Sequence, residues 1–210
     1  APYLLPLIVQ PINKKYPQLE IILHEVQTEV MLKKLGEGTL DAGILAIPLE
    51  IRGLEQIILY TEPFYVAANK KHHFAKKSKI KKDELRGETL LLLGEGHCLR
   101  GQVLDVCSYA MTKERKDFQG TSLETIRHMV STGIGITLIP QTAIVFKNLN
   151  HIAPIKYIPF SKPAPARSVG LLFRKSSNRK TCFKNIARLI QKIIQKEFSI
   201  KESMEIIPVK

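Results

Sequence analysis

The 210-residue chain has no tryptophan, three cysteines, and 19 acidic residues against 32 lysines and arginines. Each scarcity excludes something. Three cysteines, an odd number, do not make a secreted disulfide framework, so a functional pair among them is expected to form transiently in a reducing, cytoplasmic compartment. No apolar run approaches the roughly 20 residues that a membrane span requires, and Ala1-Pro2-Tyr3 opens without the basic and apolar regions of a signal peptide. A membrane is therefore not an expected partner. Internal repeats and low-complexity linkers are missing too. Hydrophobic residues make up 44% of the chain, enough to bury the core of one large domain or of two small lobes.

The shortage of acid leaves a formal net charge of +13, which on electrostatics alone would suit a nucleic-acid partner. Its distribution argues otherwise. Much of the excess lies in Lys70-Lys71-His72-His73-Phe74-Ala75-Lys76-Lys77-Ser78-Lys79-Ile80-Lys81-Lys82 and in the closing segment from Arg179 to Lys196. No C-x-x-C finger, RNP-type aromatic strand or helix-turn-helix pattern accompanies these runs, so they read as solvated surface. His72 and His73 supply two imidazoles, but no further His, Cys or Asp stands at ligand spacing, and no metal site is expected. No cofactor is implied.

Strand and helix patterns alternate along the chain. Leu4, Leu5, Ile8, Val9 and Ile12 recur with helical spacing before Pro17, and Leu19, Ile21 and Leu23 alternate as a strand does. Thr28, with Glu29 behind it and Leu32 and Leu35 ahead, is expected to cap a second helix that ends at Gly36 or Gly38. Asp41 to Ile47 reads as a short buried strand. Further strands are expected near Glu55 to Tyr60, Phe64 to Ala68 and Thr89 to Leu93, with a short helix at Lys82 to Leu85. After a helix carrying two of the cysteines, Thr121-Ser122 caps another with Leu123, Ile126, Met129 and Val130 on one face, closed by Gly133-Ile134-Gly135. Ile136 to Ile139, Ile155 to Pro159 and Val169 to Arg174 complete the strands, and a long amphipathic helix runs from about Asn178 to Phe198. The order is α/β throughout. Pro159 to Pro165 and Ile58 to Pro63 are the candidate crossings between two lobes. In such folds ligands bind at strand ends where helix N-termini converge, the expected positions of Thr28, Cys98 and Thr121-Ser122.

Cys98 and Cys107 bound a run with helical patterning, and a helix there puts their side chains on opposite faces, roughly 13 Å apart along the axis. A disulfide needs Cα atoms within about 7 Å, so the two can join only if the helix between them comes apart. Leu99, Val103, Val106, Cys107 and Ala110 share one stripe, where a thiol behaves as a small buried hydrophobe. Cys98 lies with Gln102 and Asp105. It follows Gly94-Glu95-Gly96 at the helix start, where the positive dipole end, His97 and Arg100 would favour a thiolate. Spacing alone leaves an unreactive thiol as the alternative. Cys182, one helical step before Ile186, Leu189, Ile190 and Ile193, reads as packing.

Pro2-Tyr3-Leu4-Leu5-Pro6, Leu23-His24-Glu25-Val26-Gln27-Thr28, Leu40-Asp41-Ala42-Gly43-Ile44-Leu45-Ala46, Thr121-Ser122-Leu123-Glu124-Thr125 and Gly133-Ile134-Gly135-Ile136-Thr137-Leu138-Ile139-Pro140 resemble segments of LysR-type transcriptional regulators. Gly96-His97-Cys98-Leu99-Arg100 with Cys107 resembles the peroxide-sensing members of that family. The resemblance implies two Rossmann-like lobes of periplasmic-binding-protein type joined by two crossover strands. These are residues 1–58 with 166–210, and residues 59–165, with Cys98 between them. It further implies that Cys98 is the peroxidatic cysteine and Cys107 the resolving one, while Thr28, His97 and Arg167 line or tune a hydrogen-peroxide pocket.

The implied function is transcription activation under oxidative stress. Peroxide oxidises Cys98, a reversible Cys98–Cys107 disulfide refolds the intervening helix, and the packing of a homodimer or homotetramer changes. A cellular dithiol system resets the pair. DNA and RNA polymerase are engaged in the full-length protein, through an N-terminal winged helix-turn-helix domain that this chain lacks. Three departures from the family stand out: Gly101 replaces a commonly acidic residue, His73 a usual proline, and a family threonine expected just ahead of Ala1 is missing along with the N-terminal domain. No enzymatic turnover is expected. The alternatives are a LysR-type domain that binds a small organic effector, and a thiol peroxidase; the latter is weakened because no third group orients His97 beside Cys98.

Overall fold

The computed structural model describes residues 2–47, 51–107, 113–145, 154–198 and 206–208. In chain order the elements are α1 (Leu5–Lys15), α2 (Thr28–Glu37), β1 (Ala42–Ile47), β2 (Leu54–Asn69), β3 (Thr89–Leu93), α3 (Cys98–Cys107), β4 (Lys113–Gly120), α4 (Leu123–Ser131), β5 (Thr137–Pro140), α5 (Thr142–Val145), β6 (Ile155–Pro159), β7 (Ala164–Arg174), α6 (Lys180–Phe198) and β8 (Ile206–Pro208). Short 3-10 turns at His73–Lys76 and Lys82–Leu85 lie between β2 and β3. The chain is α/β and divides into two compact units, Ala1–Thr61 with Ser168–Ser203, and Glu62–Arg167 with Met204–Lys210. Both divisions fall within the long strands β2 and β7. No described helix is long and apolar enough to cross a membrane.

In the first unit the two-residue period of the strands sorts side chains between two helical layers. Val169, Leu171 and Phe173 of β7 meet Ile8 and Ile12 of α1 and Phe183, Ala187, Ile190 and Ile194 of α6. Leu172, one residue out of step, faces the other way and packs with Leu35 of α2 and with Leu45 and Ile47 of β1. Strand β1 runs antiparallel to β7, from Ala42 opposite Phe173 to Ile47 opposite Ser168. Helix α2 lies so close to β1 that a Cβ at Gly43 would run into Met31 Sδ. It ends on Gly38, whose φ of +84° is the left-handed conformation that glycine adopts without strain.

Two expectations fail in this unit. Leu19 to Leu23 is not a strand: Leu19 and Ile21 do lean on the core, but no described strand pairs with the segment, and Ile22 and Leu23 are exposed. Alternation supplies a buried face, and a ladder still needs a partner. Thr28 is not a cap. Gln27, extended at φ −64° and ψ 155°, holds the N-cap position without a side-chain bond, and Thr28 is already helical.

In the second unit β2 is flanked antiparallel by β5, with Phe64 opposite Pro140, and by β6, with Tyr65 opposite Pro159. The two strands expected near residues 55–60 and 64–68 are halves of this one 16-residue strand. Strand β3 pairs in parallel with β4, and α3 connects them in the βαβ manner. Leu91 N–H donates to Ile136 O at 2.9 Å and Ile136 N–H to Thr89 O at 2.9 Å, which ties β3 to the approach of β5. Ser122 caps α4 as expected, its hydroxyl accepting from Thr125 N–H at 3.1 Å. Strand β4 has no sequence signature, because Lys113, Glu114, Arg115, Lys116 and Asp117 hide its pairing behind polar character. Charged residues are what an edge strand tolerates.

Candidate functional site

Strand β3 is buried almost throughout and delivers the chain to the turn Gly94-Glu95-Gly96, where Gly96 takes φ +83°. Helix α3 then starts at Cys98 and ends at Cys107, ten residues in all. Its inner face is Leu99, Val103, Val106 and Cys107, and its outer face includes Cys98, Gly101 and Asp105. The three cysteines are free; Cys98 is exposed, Cys107 buried and Cys182 half-buried. Helical rise over this span separates the two sulfurs by roughly 13 Å along the axis, beyond disulfide reach.

The two thiols sit in opposite environments. Burial pushes the Cys107 thiol from 9.0 up to about 12, which cuts its thiolate fraction near neutral pH about a thousandfold. Cys98 shares the first turn with half-buried His97, whose carbonyl accepts from Arg100 N–H at 2.9 Å. The Arg100 guanidinium is committed elsewhere: it donates to Leu93 O at 3.1 Å and to Glu114 Oε1 at 2.7 Å. Its charge is offset by Glu114, and the two contacts tie α3 to β3 and β4.

A small hollow of ≈ 10 Å³ lies among Leu93, Leu99, Val103, Ile126 and Leu138. Gln102 Oε1 is buried with no hydrogen-bond partner. Gly101 leaves open space where a Cβ would point. A ten-residue helix held by four buried side chains has few buried contacts to lose.

Arg167 stands at the end of the second unit, in β7. Its Nε donates to Glu62 Oε1 at 2.8 Å, and its terminal nitrogen lies 2.8 Å from the same oxygen. Glu62 is 1% exposed, and its other oxygen accepts from the backbone N–H of Thr142 at 2.6 Å and from the Thr142 hydroxyl. The structure therefore brings Arg167 to Glu62 and Thr142. His97, Cys98, Cys107 and Arg167 belong to the second unit and Thr28 to the first. Neither Glu62 nor Thr142 belongs to a sequence motif, though Glu62 is the only charged residue between Leu59 and Ala68.

The family model described as the LysR substrate binding domain matches residues 1–193. A hydrogen peroxide-inducible genes activator of Haemophilus influenzae is 38% identical over 190 residues, covering 90% of this chain and 62% of that protein. The reduced form of the OxyR regulatory domain from Pseudomonas aeruginosa superposes with a TM-score of 0.81 at 35% identity, covering 96% of this chain and 92% of that one. The crystal structure of the oxidized form of OxyR gives 0.80 at 37% identity, covering 94% and 92%. The chain spans about three-fifths of the length of the curated relatives it matches.

Proposed function

This chain belongs to the LysR substrate-binding-domain family, and from that premise we propose that it is the hydrogen-peroxide-sensing regulatory domain of a transcriptional activator. One observation carries the reading: α3 presents an exposed thiol at its start and a buried thiol at its end, too far apart to bond while the helix stands. The similarity to OxyR regulatory domains, solved in reduced and oxidized forms, supports it.

The chemistry runs in two steps. The Cys98 thiolate attacks one peroxide oxygen, the O–O bond breaks, and Cys98 becomes a sulfenic acid while hydroxide leaves and takes a proton. Thr28, His97 and Arg167 are assigned to hold and polarise the peroxide, with Glu62 and Thr142 fixing Arg167. Cys107 cannot answer at once, because burial keeps it protonated and distant. When α3 opens, its sulfur attacks the Cys98 sulfur, the S–O bond breaks, and the oxygen leaves as water. The disulfide then holds the segment in a packing that the helix cannot adopt.

In the full-length protein this change is read out by subunit pairing and by DNA and RNA polymerase contacts outside this chain. A cellular dithiol returns the pair to thiols without steady turnover. The test treats reduced protein with stoichiometric peroxide and maps its cysteines by peptide mass spectrometry. A Cys98–Cys107 linkage is expected, absent in Cys98→Ser, with Cys107→Ser stalled at the sulfenic acid. A Cys98 that remains a free thiol under conditions that oxidise a peroxiredoxin refutes the reading. Continuous peroxide turnover with a thiol donor would favour a peroxidase.

A further inference from the structure

The basic run that begins at Lys70 encloses two histidines that the redox chemistry leaves unused. His72 Nε2 lies 3.2 Å from Glu88 Oε2, and His73 Nε2 lies 2.6 Å from Glu88 Oε1. One ligand atom from each of the three falls within 4.8 Å of the others, the one such group of this size among the described residues. We propose that His72, His73 and Glu88 form a binding site for a divalent transition-metal ion of the Zn2+ type, separate from the cysteine pair and independent of its reading. Two imidazole nitrogens and a carboxylate oxygen fill three of the four positions of tetrahedral zinc, with water in the fourth. The set suits neither thiolate-seeking Cu(I) nor Ca2+ and Mg2+, which take oxygen. Bonds of about 2.0–2.1 Å at tetrahedral angles need ligand atoms about 3.3 Å apart, so small side-chain rotations suffice.

The backbone holds all three residues in place before any ion arrives. Phe74, 1% exposed, anchors the turn His73–Lys76, and its ring centroid lies 5.0 Å from that of His72 and 4.3 Å from that of His73. Lys156 of β6 donates to Ala75 O at 2.6 Å and clamps the same turn. Glu88 is delivered immediately before β3, its N–H donating to Leu85 O at 3.1 Å. It is 18% exposed at its side chain, close to the 20% of His72, while His73 at 62% leaves a side open to solvent.

Two features set the affinity. Phe74 N–H donates to His72 Nδ1 at 3.2 Å, which places the proton of the neutral ring on Nε2, facing Glu88. Coordination through Nε2 moves that proton to Nδ1 and gives up this bond, so the site binds modestly and reversibly. Lys70, Lys71 and Lys76 are exposed chain neighbours, and their charge opposes a dication within a Debye length of about 8 Å at physiological salt. Added salt screens that repulsion, and affinity rises with ionic strength. A dication drawn to a diffuse acidic surface behaves in the opposite way.

Calorimetric titration of the reduced chain with Zn2+, paired with Co2+ absorption, tests the site. The expected result is one ion per chain and tighter binding as NaCl is raised. Co2+ should show tetrahedral bands without a thiolate charge-transfer band. Loss of a ligand costs at least what loss of an outer-sphere partner does, so His73→Ala and Glu88→Gln should each weaken binding by about 10-fold or more. Both variants must keep the wild-type circular dichroism; His72 is left intact because it caps the turn. Binding that survives both substitutions, a thiolate-to-cobalt band, or no saturable binding overturns the proposal.

Discussion

Gly101→Ala isolates the opening of α3 from the chemistry at Cys98. Gly101 is exposed in the middle of the helix, is not among the glycines with positive φ, and has nothing within 4 Å of an added Cβ. Alanine therefore meets no clash and gains only its helix propensity, about 1 kcal/mol over glycine. That gain belongs to the closed helix alone, so the opening equilibrium falls about fivefold. If Cys107 reaches the sulfenic acid only through that opening, disulfide closure slows by the same factor while sulfenic acid formation keeps its rate. The disulfide state becomes harder to reach at equilibrium too, raising the reduction potential of the pair by about 20 mV. Rapid quenching with a sulfenate-trapping dione, followed by mass spectrometry, reads both rates; a dithiol redox titration reads the potential. An unchanged closure rate together with an unchanged potential would show that α3 need not melt. A fivefold change in the first step would show that Gly101 acts on Cys98 instead.

The buried thiol gives a pH signature. Because burial raises Cys107 from 9.0 to about 12, folded α3 holds that proton more tightly than the open segment does. Its contribution is intact below about pH 9 and is lost as pH rises towards 12, by about 1.4 kcal/mol per pH unit. Amide exchange across α3, corrected for its intrinsic rate, should accelerate over that window and lose the acceleration in Cys107→Ala; a flat wild-type profile would remove the buried thiol as the cause. At the other cluster, Glu62→Gln removes the charge that faces Arg167 and sets an amide against the two donors of Thr142. Breaking a buried pair of this kind costs about 3 kcal/mol, or some 6–12 °C in a thermal melt of a chain this long. Glu62→Gln with Arg167→Gln should recover part of that loss, and an unchanged melting temperature in the single variant would show the pair to be structurally idle.

What the sequence revealed follows a physical boundary between local and distant contacts. Helix α6, strand β3 and the Ser122 cap are set by neighbours three or four residues away or by a continuous apolar run, and a one-dimensional pattern carries that information. The cysteine helix is legible for the same reason, down to which thiol is buried. Strand β4 is not, because its pairing with β3 is bought by backbone hydrogen bonds that charged side chains at an edge do not advertise. The Leu19 to Leu23 alternation misleads in the converse way, showing a buried face where no ladder forms. Glu62 meets Thr142 and Arg167 across 80 and 105 positions, and Glu88 meets the two histidines across 15 and 16. Neither distance has a periodicity to betray it. Local spacing offers the two histidines no third ligand of the His, Cys or Asp type, whereas the fold supplies a glutamate from the far side of two turns.

On the proposed reading, the response threshold is set by residues that never touch peroxide. Leu99, Val103, Val106 and Cys107 are the side chains that hold α3 in place, and they are also the ones that must leave their sites before the disulfide can close. Resolving thiol and structural anchor are thus the same residue, so oxidation cannot be completed without dismantling the packing that defines the reduced form. The Arg100 contacts to Leu93 and Glu114 strengthen the closed state; Gly101, the orphaned Gln102 oxygen and the small hollow weaken it. A sensor with a tighter helix would accumulate sulfenic acid and risk overoxidation before closing. One with a looser helix would expose Cys107 and form the bond under milder oxidation. Substitutions along α3 should therefore order closure rates by helix stability, whatever their distance from Cys98. Substitutions at Thr28, His97 or Arg167 should instead change the first step and leave that ordering intact.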